Sequence, residues 1–155
     1  MSKIQRKYMA HFIEAEEGKF VRLGADLEEY SPEMSAQVEK TRNILGQTSV
    51  AVTGYEKSAS VEPYFAVEGD PLFERLQQII DGDLVLEDLK TKVVEVKLWK
   101  QAEGGFEAVQ EDAYIEVTSY GGDTAGYQIP FTVHYTGNKV KGVFDPQEGT
   151  FTPEE

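Results

Sequence analysis

One segment of this chain has the apolar spacing of a helix, and it stands among segments that alternate as β-strands do. Asp70 is a residue type that caps helices, Pro71 suits the first helical position, and Gly82 suits a helix end. Between them the apolar residues fall on one helical face: Leu72, Phe73, Leu76, Ile79 and Ile80. The sequence therefore predicts one helix over residues 71–81, packed on the flank of a sheet.

Short alternating segments on both sides of this helix predict strands. The first, Tyr8–Ala15, is apolar on both faces, which is typical of a strand between two layers. A hairpin turn after it leads into a second strand, Lys19–Leu23. Later strands are predicted at Lys92–Trp99, Ala113–Tyr120, Tyr127–Thr136 and Lys139–Asp145. The fold class is therefore mainly β, a β-sandwich or a partly closed barrel with one flanking α-helix.

Residues that break strands or favour turns predict the connections. Pro130 cannot donate a ladder hydrogen bond, so an edge or a bulge is expected there. Gly137-Asn138 is predicted as a turn between two strands. The other predicted connections are loops at Gly24–Met34 and Gln101–Gly105, a short helix or loop at Val85–Lys90, and a long hairpin turn at Ser119–Gly126.

Length and composition limit the classes of protein to consider. The chain has 155 residues, of which 40% are hydrophobic, and this favours a single domain with one substantial core. We expect no membrane span and no secretory signal, because no apolar run approaches the necessary length. The absence of cysteine excludes disulfides and thiolate chemistry. A net charge of −13 disfavours nucleic-acid binding, since that affinity comes from neutralising phosphates.

No pattern of residues predicts catalysis, a cofactor site or a metal site. The two histidines, His11 and His134, lie within predicted strands and lack the spacing of a metal motif such as HExxH. The glycine-rich stretch Ser119–Gly126 lacks the phosphate-loop pattern and leads into a strand. Acidic pairs such as Glu111-Asp112 would point to opposite faces of a strand. We therefore expect a protein that is not an enzyme.

Two stretches resemble one known family. The first is NILGQTSVAVTGYEKSASVEPYFAVEGDPLFERLQQIIDG, residues 43–82. The second is AYIEVTSYGGDTAGYQIPFTVHYTGNKVKGVFD, residues 113–145. Together they resemble the major tail proteins, or tail tube proteins, of long-tailed bacteriophages and prophages, and the resemblance extends from about Tyr8 to Phe151.

The resemblance implies a structural virion protein with the phage tail-tube fold as a single domain. Such subunits form hexameric rings whose inner sheets join into a barrel, and the rings stack into a tube that conducts DNA without binding it specifically. The other implied partners are tape-measure, tail terminator and tail initiator proteins, with no membrane. The implied location is the virion tail, assembled in the cytoplasm of the bacterial host.

The resemblance also implies a long loop that reaches the neighbouring ring. In this chain the loop would lie within Gly24–Ala59, and the candidate contact residues are Asp26, Glu28, Glu29, Tyr30 and Met34. We expect this loop to exchange its amide hydrogens quickly in an unassembled subunit.

Two other interpretations of the sequence stay open. Inner-tube subunits of contractile injection systems and phage-tail-like bacteriocins share the fold, and neighbouring genes would separate them from tail tubes. A small β-barrel ligand-binding protein is an interpretation of a different class. It would require a concave pocket with converging polar groups.

Overall fold

A computed structural model describes residues 2–16, 18–23, 30–62 and 64–154. Within these ranges the helices are α1, Pro71–Gly82, and two short 3-10 helices, Arg6–Tyr8 and Leu86–Leu89. The strands are β1 Met9–Glu16, β2 Lys19–Leu23, β3 Ala36–Arg42, β4 Thr48–Tyr55, β5 Ser58–Val61, β6 Lys90–Ala102, β7 Gly105–Val117, β8 Gly121–Asp123, β9 Gly126–Gln128, β10 Phe131–Asp145 and β11 Thr150–Pro153. The chain is mainly β, as predicted. None of the described helices is long and apolar enough to cross a membrane.

Seven strands form one antiparallel sheet. Its order is β11-β10-β7-β6-β1-β2, and β5 pairs with β10 as well. The long strand β10 pairs with β7 on one side, while on the other side its first part pairs with β5 and its last part with β11. Two small sheets, β3-β4 and β8-β9, share no ladder with the main sheet.

The main sheet curls into a half-barrel. The Phe144 ring on β10 lies 4.5 Å from the Phe12 ring on β1 and 5.8 Å from the Phe20 ring on β2, measured between centroids. Strands β7 and β6 separate β10 from β1 in the sheet, and each step between strands is about 4.8 Å. These rings can meet only because the sheet bends around them, and Val94, Val96 and Ala108 complete this small core.

The helix packs on the opposite face of the sheet. Leu72, Leu76 and Ile79 are buried there, and Phe73 and Ile80 are half-buried against the same core. Strand β1 contributes to both cores, because Phe12 faces the half-barrel and Ile13 faces the helix. The prediction that this strand lies between two layers is therefore confirmed.

Local chemistry sets both ends of α1. The Leu72 N–H donates to Asp70 Oδ1 at 3.0 Å, so Asp70 is the N-cap. The helix includes Gly82 and ends at Asp83, whose φ of 48° is left-handed. The predicted stop at Gly82 is one residue early, because aspartate also tolerates this conformation.

Two predicted connections need correction. The loop predicted at Gln101–Gly105 is a tighter turn of two residues, Glu103-Gly104, because β6 runs to Ala102 and β7 begins at Gly105. The predicted turn at Gly137-Asn138 is a bulge within the continuous strand β10, between Tyr135 and Lys139. There the Gly137 N–H donates to Glu111 Oε2 at 3.0 Å, a buried partner that is distant in sequence.

The other connections follow the sequence more closely. The predicted strand Tyr127–Thr136 is broken at Pro130, where an edge or bulge was expected: β9 ends at Gln128 and β10 starts at Phe131. The Pro130 carbonyl accepts from the Thr118 N–H at 3.1 Å. The segment Ser119–Gly126 belongs to a small hairpin, β8-β9, between the partner strands β7 and β10. A short 3-10 helix, Leu86–Leu89, lies within Val85–Lys90.

Candidate functional site

A β-hairpin, β3-β4, occupies most of the predicted long loop. Every residue of its two strands is exposed except Gly54, which is half-buried. The strands pair with one another from Ala36↔Tyr55 to Arg42↔Thr48. An isolated two-stranded hairpin is only marginally stable in water, so this element lacks the packing that supports the rest of the chain.

One face of the hairpin carries three valines together with both of its basic residues, Lys40 and Arg42. The register places Val38 opposite Val52 and Lys40 opposite Val50, so the three valines share a face. Each of these valines is about half exposed or more. The other face carries small or polar side chains such as Glu39, which pairs with Ala51. Exposed valines beside exposed cations on one hairpin face have the character of an interaction surface.

The hairpin tip, Asn43–Gln47, is held by hydrogen bonds among its own residues. Asn43 Oδ1 accepts from the Leu45 N–H at 2.9 Å and from the Gln47 N–H at 3.0 Å, and Gly46 takes the left-handed conformation that closes the turn. Ile44 is fully exposed and Leu45 is 78% exposed. The tip therefore presents two large apolar side chains to solvent on a well-bonded turn.

Backbone hydrogen bonds join the base of the hairpin to β5. The Glu33 N–H donates to the Ser58 carbonyl at 2.7 Å, and the Ser58 N–H donates back at 3.0 Å. At the same level the Glu56 N–H donates to the Ser35 carbonyl at 3.2 Å. These bonds fix the two chain segments that enter and leave the hairpin.

A buried polar cluster anchors this base to the main sheet. Lys57, between β4 and β5, places Nζ 2.7 Å from Glu111 Oε1 and 3.8 Å from Glu95 Oε1. Its ammonium also lies 4.5 Å from the centroid of the Tyr135 ring, within cation–π range. Tyr135 shares a 2.7 Å hydrogen bond with the hydroxyl of Tyr30, and burial raises the pKa of both phenols.

His11 lies beside this cluster with few polar contacts. It is 4% exposed, and within the described ranges neither ring nitrogen has a hydrogen-bond partner. Nε2 lies 3.5 Å from Glu95 Oε1, which is an ion-pair distance at the outer limit of hydrogen bonding. The His11 ring contributes most to lowering the pKa of Glu95; burial opposes the shift, and the Lys57 charge reinforces it.

The predicted loop residues fall in three different settings. Asp26, Glu28 and Glu29 lie outside the described residues. Tyr30 is buried in the main core, which makes it an anchor in the isolated chain and leaves it no exposed contact surface. Met34 is 50% exposed and lines a cavity of about 360 Å³ together with Tyr55 at the hairpin base.

The sequence analysis did not predict the hairpin or the buried polar cluster around Lys57. The hairpin signal was present in the alternation of Val50 and Val52 and in the Asn43–Gln47 turn, whose Gly46 permits the left-handed conformation. The buried polar cluster had no local signal, because its residues come from segments far apart in the chain.

The part of the chain that the structure describes holds no group of three or more His, Asp or Glu side chains suited to a metal ion. The second histidine, His134, is exposed and lies 2.6 Å from Glu116 Oε1 on the neighbouring strand. No protein-family model matches the chain, and no curated protein matches it either.

Proposed function

We propose that this protein is a structural subunit that assembles with copies of itself, as a tail tube protein of a long-tailed phage or prophage does. The observation that carries the proposal is the hairpin β3-β4, with its uncovered valine face and its apolar tip. A solvent-exposed element of this kind gains stability when another subunit covers it. It lies within the segment where the family resemblance implies contact between stacked rings.

The open edges of the main sheet support the same proposal. Among the described strands, β2 has a neighbour on one side only, and so do β5 and β11. Unpaired edges invite pairing with another chain unless they are protected. In a ring, the β2 edge of one subunit would meet the β5 and β11 edge of the next, and the sheets would join into a barrel.

The charge of the chain fits a conduit for DNA. A net charge of −13 would make acidic walls that repel phosphates, so DNA would pass through the tube without adhering. Under this proposal the protein resides in the virion tail and meets tape-measure, terminator and initiator proteins. It carries out no turnover.

Electron microscopy of the purified protein at increasing concentration tests the proposal. We expect wild-type protein to form rings or tubes. Leu45→Asp, which places a charge at the hairpin tip, should form far fewer of them. Val85→Asp is the matched control, because Val85 is 62% exposed and lies outside the hairpin. A protein that stays monomeric at every concentration, with tail initiator present, would contradict the proposal.

A further inference from the structure

The hairpin carries a charge opposite to that of the whole chain. Its two basic residues, Lys40 and Arg42, outnumber its one acidic residue, Glu39, in a chain of net charge −13. Neither basic side chain forms an ion pair with a residue that the structure describes, and both are exposed. The tip thus combines two apolar side chains with nearby cations that an acidic surface could pair.

An open groove of about 580 Å³ lies where the turn between β6 and β7 faces β11. Its apolar lining includes Val109, Val143 and Pro153. Its volume falls in the range of about 300–1,000 Å³ that is usual for binding pockets, so it can receive two aliphatic side chains.

Two acidic side chains that form no ion pair with a described residue line this groove. Glu103 and Glu154 line it, and neither forms an ion pair with any described residue. The third acidic residue of the lining, Glu107, already lies 3.7 Å from Lys97 and 3.8 Å from Lys100. Glu103 and Glu154 are therefore the carboxylates available to an incoming cation, although Lys141 in the same lining offsets part of their charge.

We propose that Ile44 and Leu45 of one copy insert into this groove of a second copy, with Lys40 and Arg42 beside Glu103 and Glu154. This inference rests on the proposed function, because it names the receiving surface for the hairpin. Tip and groove are different surfaces of the molecule, so each copy offers one and receives the other. Such a head-to-tail contact extends into a stack of copies and does not close as a two-fold dimer.

The smaller cavity at the hairpin base is the competing receptor. It measures about 360 Å³ and includes Lys57, Lys139 and Glu111 in its lining. Glu111 is already paired with Lys57 at 2.7 Å, so the cavity presents surplus positive charge to a tip that is itself cationic. Charge therefore favours the groove beside β11.

Disulfide mapping tests the contact, because the chain has no cysteine of its own. Two single-cysteine proteins, Leu45→Cys and Thr152→Cys, are mixed under mild oxidation at a concentration that supports assembly. Any mixed disulfide is then necessarily between copies. We expect this pair to cross-link several-fold faster than Leu45→Cys mixed with Met34→Cys, which reports the competing cavity.

A charge swap provides a second readout. The double variant Glu103→Lys with Glu154→Lys should lose cross-linking and assembly, and a partner copy carrying Lys40→Glu with Arg42→Glu should restore both. The groove variant carries Thr152→Cys and the tip variant carries Leu45→Cys, so the native tip and the native groove have no cysteine and rescue of the disulfide requires that the two altered charge sets meet.

The outcomes separate this inference from the proposed function. Assembly that persists while Leu45→Cys reacts equally fast with Met34→Cys, or faster, would overturn the groove contact and leave the proposed function intact. If wild-type protein forms no assemblies and no cysteine pair reacts above the rate of a denatured mixture, both proposals fail.

Discussion

The side chain of Lys57 holds together a group of largely desolvated charges at the base of the hairpin. It is the cation that faces two carboxylates, Glu111 and Glu95, and Glu111 is almost fully buried. Removing one partner of a buried pair leaves the other charge without compensation, and this costs more than the pair itself contributes. The base of the hairpin is therefore sensitive to single substitutions here.

We expect Lys57→Met to lower the free energy of unfolding by about 3 kcal/mol, as is typical for breaking a buried ion pair. The double variant Lys57→Met with Glu111→Gln should recover part of the loss. It removes the buried charge and keeps an oxygen that accepts from the Gly137 N–H. Urea denaturation measures both variants, and strictly additive losses would contradict the coupling.

We expect Glu95 to contribute to unfolding at acid pH. Its pKa is below the ordinary value of 4.5 in the folded chain, so the unfolded chain binds the proton more readily. The stabilisation is present above pH 4.5 and is lost as the pH falls through the lower folded pKa. The free energy of unfolding should therefore fall more steeply with acidification in wild-type protein than in Glu95→Gln. Parallel curves for the two proteins would refute the assignment.

At the scale of elements, the hairpin β3-β4 is separable from the main sheet. It shares no ladder with that sheet, and its ends are close because Ala36 and Tyr55 are paired residues. The bonds between Glu33 and Ser58 lie outside the hairpin and would survive its removal. The element can therefore be tested independently of the fold.

Replacing residues 37–54 with a short Gly-Ser turn should shift the melting temperature by only a few degrees and abolish assembly. The reason is that these residues contribute nothing to either buried core. Calorimetry measures the first effect and electron microscopy the second. Hydrogen exchange of the intact, unassembled protein should show faster exchange in β3 and β4 than in β6 and β7. Loss of cooperative unfolding on replacement would show that the hairpin supports the core.

The elements themselves were predictable to different degrees. The helix could be predicted from residues 70–82 alone, because capping and a 3.6-residue period are local properties. Strand β2 was predicted with its observed bounds, Lys19–Leu23. Strand β10 was divided at Gly137, since a Gly-Asn pair usually marks a turn. The buried carboxylate of Glu111, which bonds the Gly137 N–H and helps to hold the bulge, comes from another strand.

At the scale of the whole molecule, the sheet buries both of its faces at different places. One face packs against α1, and the other closes on itself around Phe144. The alternation of apolar residues in β1 is enough to predict a strand that is covered on both faces. The residues that cover it do not follow from that alternation, since curling depends on the order of the strands and on their combined twist.

The sequence by itself determined the class of fold, the helix and its caps, and the strand character of most segments. These features depend on residues within a few positions of one another. Only the tertiary structure decided that Tyr30 points into the core, that Lys57 lies between two carboxylates, and that Ile44 and Leu45 stand in solvent. Each of those outcomes depends on which distant strands become neighbours, and hydrophobic alternation does not distinguish among the possible pairings.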